Sequence, residues 1–216
     1  MTIIEAGQSS WGSYPKIYAI GHRYLADLLL DEVQVEEKVD GSQFSFGVFD
    51  FPNTNGRELR ARSRGAQLNI HAPDNMFLRG VDAVKSIEDK LVVGWTYSGE
   101  YLSKPKHNTL AYDRTPSNHV AIFDIRTGPE CYLTYDEKKA EAERLGFECV
   151  PVMFQGRIGE AGTLRELLQS DSMLGGQKIE GVVIKNYARF GLDKKCLMGK
   201  FVSEAFKEVH AAEWKA

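Results

Sequence analysis

The chain has 216 residues, a formal net charge of −3 and 43% hydrophobic content, enough for one well-buried core. A protein that coats nucleic acid is strongly basic, so any grip on nucleic acid here must be a local patch. No stretch approaches the roughly 18 to 20 apolar residues of a membrane span, and Met1-Thr2-Ile3-Ile4-Glu5 lacks the basic and apolar regions of a secretory leader. Residues 24–30 read as a short helix. Val33-Gln34-Val35 and Phe44-Ser45-Phe46-Gly47-Val48-Phe49 alternate as strands do. Between them Asp40-Gly41 predicts a tight hairpin turn, with Gly41 free to take φ > 0. Residues 75–90 carry Met76, Phe77, Val81, Val84 and Ile87 near helical spacing, and 91–101 and 120–125 read as strands. Thr134-Tyr135-Asp136-Glu137 is a capping box opening a helix through Leu145, which Gly146 ends. Residues 147–153 return as a strand, and Thr163-Leu164-Arg165-Glu166 is a second capping box for a helix to about residue 169. Residues 182–186 and 200–202 complete the strands. Strands outnumber helices and do not alternate with them, which predicts an α+β fold with largely antiparallel sheets, in one domain over residues 1–216.

Cys131, Cys149 and Cys196 show neither CxxC nor Cys/His ligand spacing and read as reduced thiols of a cytoplasmic protein. His22, His71, His107, His119 and His210 show no metal spacing either. Positive charge gathers in three places. Arg57, Arg60, Arg62 and Arg64 share one segment, where a strand would put the last three on one face. Lys104 with Lys106, and Lys194 with Lys195, form the others. Each alone reads as solvated surface; together they are candidate phosphate contacts.

The run Glu36-Glu37-Lys38-Val39-Asp40-Gly41 is the most informative in the chain. A lysine at the rigid end of a strand suits a covalent lysyl-nucleotide enzyme. Its amine attacks the α-phosphate of a nucleoside triphosphate, pyrophosphate leaves, and a phosphoramide to the nucleotide remains. Taken alone, Lys-x-Asp-Gly is more simply a surface turn. The amine must also be neutral to attack. With a reference pKa near ~10.4, only about 0.1% is neutral near physiological pH, a cost of about 4 kcal/mol. Nearby cations and partial desolvation lower that cost.

Five further segments follow in order: Arg62-Ser63-Arg64-Gly65, Ser98-Gly99-Glu100-Tyr101, Val120-Ala121-Ile122-Phe123-Asp124-Ile125, Glu180-Gly181-Val182-Val183-Ile184-Lys185 and Met198-Gly199-Lys200-Phe201-Val202. With the Lys38 run they resemble the motifs of the covalent nucleotidyltransferase superfamily of DNA ligases, RNA ligases and mRNA capping enzymes. The likeness covers about residues 35–208. Three details resemble RNA ligases of the RNA ligase 2 type: Ser42-Gln43-Phe44 after Gly41, where DNA ligases and capping enzymes usually carry an arginine two residues on; Phe123-Asp124-Ile125; and Phe201-Val202-Ser203-Glu204-Ala205-Phe206-Lys207-Glu208.

The resemblance implies an ATP-grasp-like fold, two sheets holding ATP between them, and sealing of RNA 5′-phosphate to 3′-hydroxyl ends or nicks with Mg²⁺ or Mn²⁺. It makes Lys38 the nucleophile and places Glu100 on the ribose, Glu180 on the metal, and Phe123 on the base; the alternating strand equally allows Phe123 in the core. Arg62 would meet phosphate or the RNA end, and Lys185 and Lys200 the α-phosphate. Asp40 reads equally as a turn former and as part of a metal or water network, beside Gly41. Glu36 or Glu37 would face the adenine amine. One departure is Met198 where the family usually has the first of two lysines; Lys185 or Lys195 are the candidates to compensate. No C-terminal OB-fold or helical domain fits, so the chain reads as a minimal ligase or the catalytic part of a longer one. The alternatives are a GTP-dependent capping-type guanylyltransferase, a DNA nick ligase, and a non-ligating RNA-end-binding homologue.

Overall fold

A computed structural model of the chain describes residues 10–50, 56–159 and 161–207; the N-terminal pentapeptide, Glu208 and His210 lie outside them. Its elements are β1 (Tyr18–Ala19), β2 (Val33–Lys38), β3 (Ser42–Asp50), β4 (Arg57–Ser63), β5 (Gln67–Leu68), α1 (Leu78–Lys85), β6 (Thr96–Tyr101) and β7 (Val120–Gly128). There follow β8 (Cys131–Tyr132), α2 (Tyr135–Arg144), β9 (Glu148–Cys149), β10 (Val152–Gly156), α3 (Ala161–Leu167), β11 (Gly181–Phe190) and β12 (Cys196–Val202). The fold is α+β. One sheet runs β1-β12-β11-β2-β10; the other runs β5-β4-β3-β6-β7-β8, with β9 also on β7. Pairing is antiparallel except β1 on β12 and β9 on β7. Among the described residues no helix is long and apolar enough to cross a membrane.

Each sheet has an apolar outer face. Val33 and Val35 of β2, Val182 and Ile184 of β11, and Leu164 of α3 build one core. Phe44, Phe46, Tyr97, Ile122 and Ile125 pack on Val81 and Val84 of α1 and Ala142 of α2 in the other. The inner faces are polar. Along β2 the alternation sends Gln34, Glu36 and Lys38 inward while Val33 and Val35 enter the core. A polar layer between two apolar ones is what positions the site.

Several sequence expectations need correction. Asp40-Gly41 is not a hairpin turn: β2 and β3 belong to different sheets, so Val39-Asp40-Gly41 crosses from one to the other. Gly41 does not take a positive φ. A Cβ there would lie 2.6 Å from the Tyr101 carbonyl oxygen and 2.8 Å from Glu100 Cγ, so close approach is what requires glycine. The strand read over 147–153 is two, because Pro151 has no N–H and the chain switches sheets there, β9 joining β7 and β10 joining β2. The strand read from 91 starts at Thr96, after a turn holding Gly94 at φ 85°. The helix read over 75–90 is α1 followed by a 3₁₀ turn over Glu88–Lys90, and 24–30 holds only a 3₁₀ turn over Arg23–Leu25. Thr134 and Glu137 do form a reciprocal capping box. Thr163 does not cap a helix: it lies inside α3, whose Leu164 is buried in the outer core.

Candidate nucleotide site

The two sheets enclose a cavity of about 520 Å³ lined by Glu36, Lys38, Gly41, Glu100, Phe123, Lys185 and Lys200, together with Tyr14, Gln43 and Arg64. Lys38 ends β2, and its Nζ donates to Glu180 Oε2 at 2.7 Å. Burial alone would lower the Lys38 pKa, but Glu180 and Glu100 outweigh it and hold the ammonium above its usual range. Burial raises the Glu180 carboxyl against the pull of Lys38. Lys200 is the opposite case: burial and the charge of Lys38 hold it below the usual lysine range.

Glu100 comes from β6, paired with Gln43 of β3. Burial pushes its carboxyl up to about 7, with Lys38 opposing and Glu180 and Asp40 reinforcing. The folded value lies above the unfolded one, so Glu100 favours the fold most when protonated, and that contribution is lost as pH rises toward and through about 7. Glu100→Gln is therefore expected to come close to wild-type stability around pH 4.5 and to exceed it around pH 8 by about 3 kcal/mol. Urea titrations at the two values measure this; an offset of the same size at both would show that Glu100 ionises normally.

Phe123 and Asp124 both face inward although they are adjacent. The register of β6 on β7 steps from Ser98 opposite Asp124 to Gly99 opposite Ile122, leaving Phe123 as the bulged residue. Its ring lies edge-on to Tyr14 at 4.9 Å and 5.6 Å from Lys185 Nζ. Its carbonyl accepts from both Lys138 and Lys185 at 2.7 Å. Below it sits a buried ionic network. Glu36 accepts from Lys138, from Lys185 at 2.6 Å and from Gln34 at 2.6 Å. Lys185 also reaches Asp124 at 3.0 Å, and Asp124 accepts from Tyr14 and, at 2.6 Å, from Tyr187. Burial would raise the Asp124 carboxyl, but Lys185 and Lys138 together hold it below the usual range.

Three of the expected residues sit elsewhere. Glu37 points to the opposite side of β2, where Ser172 and the Met173 N–H at 2.9 Å satisfy its carboxylate. Asp40 accepts from the Leu110 N–H at 2.8 Å, its own N–H donates to Tyr112 Oη at 2.7 Å, and Asn108 donates to the Gly41 carbonyl. It braces residues 108–112 beneath the crossover instead of lining the cavity. Arg62 stays on β4 with its Nε 3.3 Å from the Ser63 carbonyl. Arg64 lines the cavity because the chain leaves the strand after Ser63. Lys195 pairs with Glu130 at 3.0 Å, away from the cavity, and Met198 Sδ accepts from Tyr14 at 3.0 Å. Lys185 lies directly across from Met198 in the β11–β12 ladder.

Sequence reasoning missed Tyr14, Gln43, Arg64 and Lys138 as site residues. Arg64 and Gln43 sat within quoted motifs; Tyr14 and Lys138 carried no local signal. The Gln43 amide nitrogen is buried on the cavity wall and makes no hydrogen bond among the described residues, which leaves a donor for an entering ligand. Among the described residues no three carboxylate, imidazole or thiol side chains converge as a metal cage. Magnesium bound through one or two carboxylates, substrate phosphates and waters needs none, and Glu180 and Glu100 offer oxygens of that kind.

This fold recurs in solved structures. Naegleria gruberi RNA ligase with PPi aligns at a TM-score of 0.66 and 18% identity, over 94% of this chain and 58% of that one. A variant of that enzyme with ATP and Mn gives 0.66 and 18%, over 93% and 58%. Another variant, with AMP and Mn, gives 0.61 and 18%, over 95% and 62%. The chain thus spans about three fifths of that enzyme's length. Among curated proteins none matches. A profile of the RNA ligase family matches residues 31–202, the span from β2 to β12 that builds most of the cavity, and the chain belongs to the RNA ligase family.

Proposed function

We propose that the chain is the adenylyltransferase part of an ATP-dependent RNA ligase that works through a lysyl-AMP intermediate. The observation that carries this is Lys38, hydrogen-bonded to Glu180 at 2.7 Å, on the wall of a cavity of about 520 Å³ with cations and an aromatic ring around it. The nucleotide in Naegleria gruberi RNA ligase structures supports ATP as the substrate. Lys38 Nζ attacks the α-phosphorus, the bond to the β-phosphate oxygen breaks, and pyrophosphate leaves. The AMP then passes to an RNA 5′-phosphate, and a 3′-hydroxyl displaces it as the strands join.

Charge neutralisation governs each step. Lys38 is held as an ammonium by Glu180 and Glu100, so forming the amine requires another cation to take up those carboxylates. Glu180, with Glu100, would hold a Mg²⁺ or Mn²⁺ ion, which supplies that positive charge and neutralises the triphosphate. Lys200 and Arg64 line the cavity where developing phosphate charge needs cations. Phe123, half-buried on the cavity wall, offers its ring to the base. Glu36 and Lys185 form the floor, already paired with each other. Glu37 and Asp40 act from behind, fixing the strand end and the crossover.

The test is the intact mass of the protein after incubation with ATP or GTP and either metal. An AMP adduct is expected. A GMP adduct would make the chain a capping-type enzyme, no adduct a non-ligating RNA-end binder, and sealing confined to nicked DNA a DNA ligase. Glu180→Ala is expected to slow adduct formation at least about tenfold, as loss of a group that stabilises transition-state charge does. A wild-type rate in that variant would remove Glu180 from the reaction.

A further inference from the structure

A second groove of about 540 Å³ shares only Pro15 with the nucleotide cavity. One wall is the segment around β1; the other is the tip of the β11–β12 hairpin. The first wall is aromatic and mainly cationic, with Lys16 and Arg23 against the one carboxylate of Asp27 among its lining residues. Tyr18 stacks on His22 at 4.2 Å, and Tyr24 stands edge-on to both. Lys16 lies 5.0 Å over the Tyr18 ring and Arg23 5.1 Å over the Tyr24 ring. Both cations are exposed, and neither joins an ion pair among the described residues. The facing wall presents Phe190, 54% exposed, with Leu192 beyond it at 97%. The acidic side chain on that tip, Asp193, is exposed and accepts the Lys195 N–H at 3.1 Å.

Exposed rings on the two walls of a groove, with cations that make no ion pair among the described residues beside them, match how single-stranded nucleic acid is held: bases stack on rings and phosphates meet the cations. A paired duplex hides the base faces that such a wall would take, and an apolar protein partner would leave Lys16 and Arg23 without counter-charge. The size suits one or two nucleotides, within the range of small-ligand sites. We infer that this groove binds a short single-stranded stretch of RNA adjoining the end to be sealed, with bases on Tyr24 and Phe190 and phosphates on Lys16 and Arg23. This rests on the RNA ligase reading for the identity of the strand, and the shared Pro15 wall makes the two sites neighbours.

The test uses the full chain and a fluorescein-labelled single-stranded oligoribonucleotide, followed by anisotropy across a potassium chloride series. Adduct formation with ATP is read separately by intact mass. Tyr24→Ala with Phe190→Ala is expected to weaken RNA binding about tenfold or more, as loss of base stacking does. Lys16→Glu with Arg23→Glu is expected to flatten the salt slope by about 1.4, roughly 0.7 per lost contact to a single strand. Thermal melts and adduct rates should stay at wild type in all four positions, since the side chains are exposed and outside the nucleotide cavity. RNA binding that ignores these changes, or no RNA binding by the wild type, would overturn the groove assignment. So would a concentration-dependent dimer in sedimentation that Leu192→Glu abolishes while RNA binding is untouched, because the face would then be a protein contact. Absence of an AMP adduct with ring-sensitive RNA binding intact would defeat the ligase reading and leave the groove standing.

Discussion

Lys38→Ala is expected to lose covalent nucleotide attachment by at least about 10⁴-fold, the scale on which removal of a covalent nucleophile acts, while still folding. No other cavity lysine is placed to replace it. Lys185 is buried and committed to Glu36, Asp124 and the Phe123 carbonyl. Lys200 is held below the usual lysine range partly by the charge of Lys38, so removing Lys38 takes away part of what depresses it and leaves Lys200 the poorer nucleophile. The lost ammonium also unbalances Glu180 and Glu100, but both carboxyls already sit above their usual range and can take up a proton. That relief keeps the fold intact at neutral pH. Lys38→Arg separates charge from nucleophilicity: guanidinium preserves the positive charge yet stays protonated, so this variant should be as inactive as alanine. Intact mass and peptide mapping after incubation with ATP decide the matter. An adduct on either variant at the wild-type rate, mapped to Lys200 or elsewhere, would sink Lys38 as the nucleophile.

The α+β class and the mostly antiparallel sheets were legible in the sequence, because period-two alternation and the Thr134 capping box are local; the two-residue strands β1, β5 and β8 left no such signal. What it could not announce was which strand pairs with which. Val39-Asp40-Gly41 has turn chemistry whether the next strand folds back on β2 or departs to another sheet; here it departs, and the difference is decided by pairing with β6 and β11, far along the chain. The same holds at Pro151, where one apolar stretch serves two sheets. Phe123 was ambiguous between core and cavity because alternation assumes a regular ladder, and the bulge that turns it inward depends on the register of β6. Arg62 and Arg64 would share a face on a continuous strand, but the strand ends at Ser63 and Arg64 lines the cavity. Glu36 and Glu37 stood side by side as candidates, and the pleat separates them: one lines the cavity, the other is tied to Ser172 and Met173.

Lys138 is the sharpest case of a residue that looks ordinary in sequence, and its removal should have the largest effect on stability. It lies in the first turns of α2, a strongly charged helix with a capping box, where a lysine reads as solvated surface. Yet its side chain is 1% exposed. It bonds Glu36 and the Phe123 carbonyl, joining α2 to both sheets at once. Around it the buried charges balance, Lys138 and Lys185 against Glu36 and Asp124. Replacing one member by an apolar side chain leaves an uncompensated charge in a buried site, which typically costs 3–5 kcal/mol, more than the pair itself contributes. Lys138→Met is therefore expected to lose about 4 kcal/mol in urea denaturation at neutral pH. Glu36→Gln removes the orphaned charge but keeps the side-chain volume and a hydrogen-bonding oxygen. In the double variant Lys185 and Asp124 remain as a matched pair, so the double should cost at least about 1 kcal/mol less than the sum of the singles, the coupling expected of contacting charges. Additive losses would mean that the two residues do not sense each other and that Lys138 holds α2 by packing alone. A loss below about 1 kcal/mol for Lys138→Met would put the lysine in water, and the charge-balanced floor of the cavity would have to be abandoned with it.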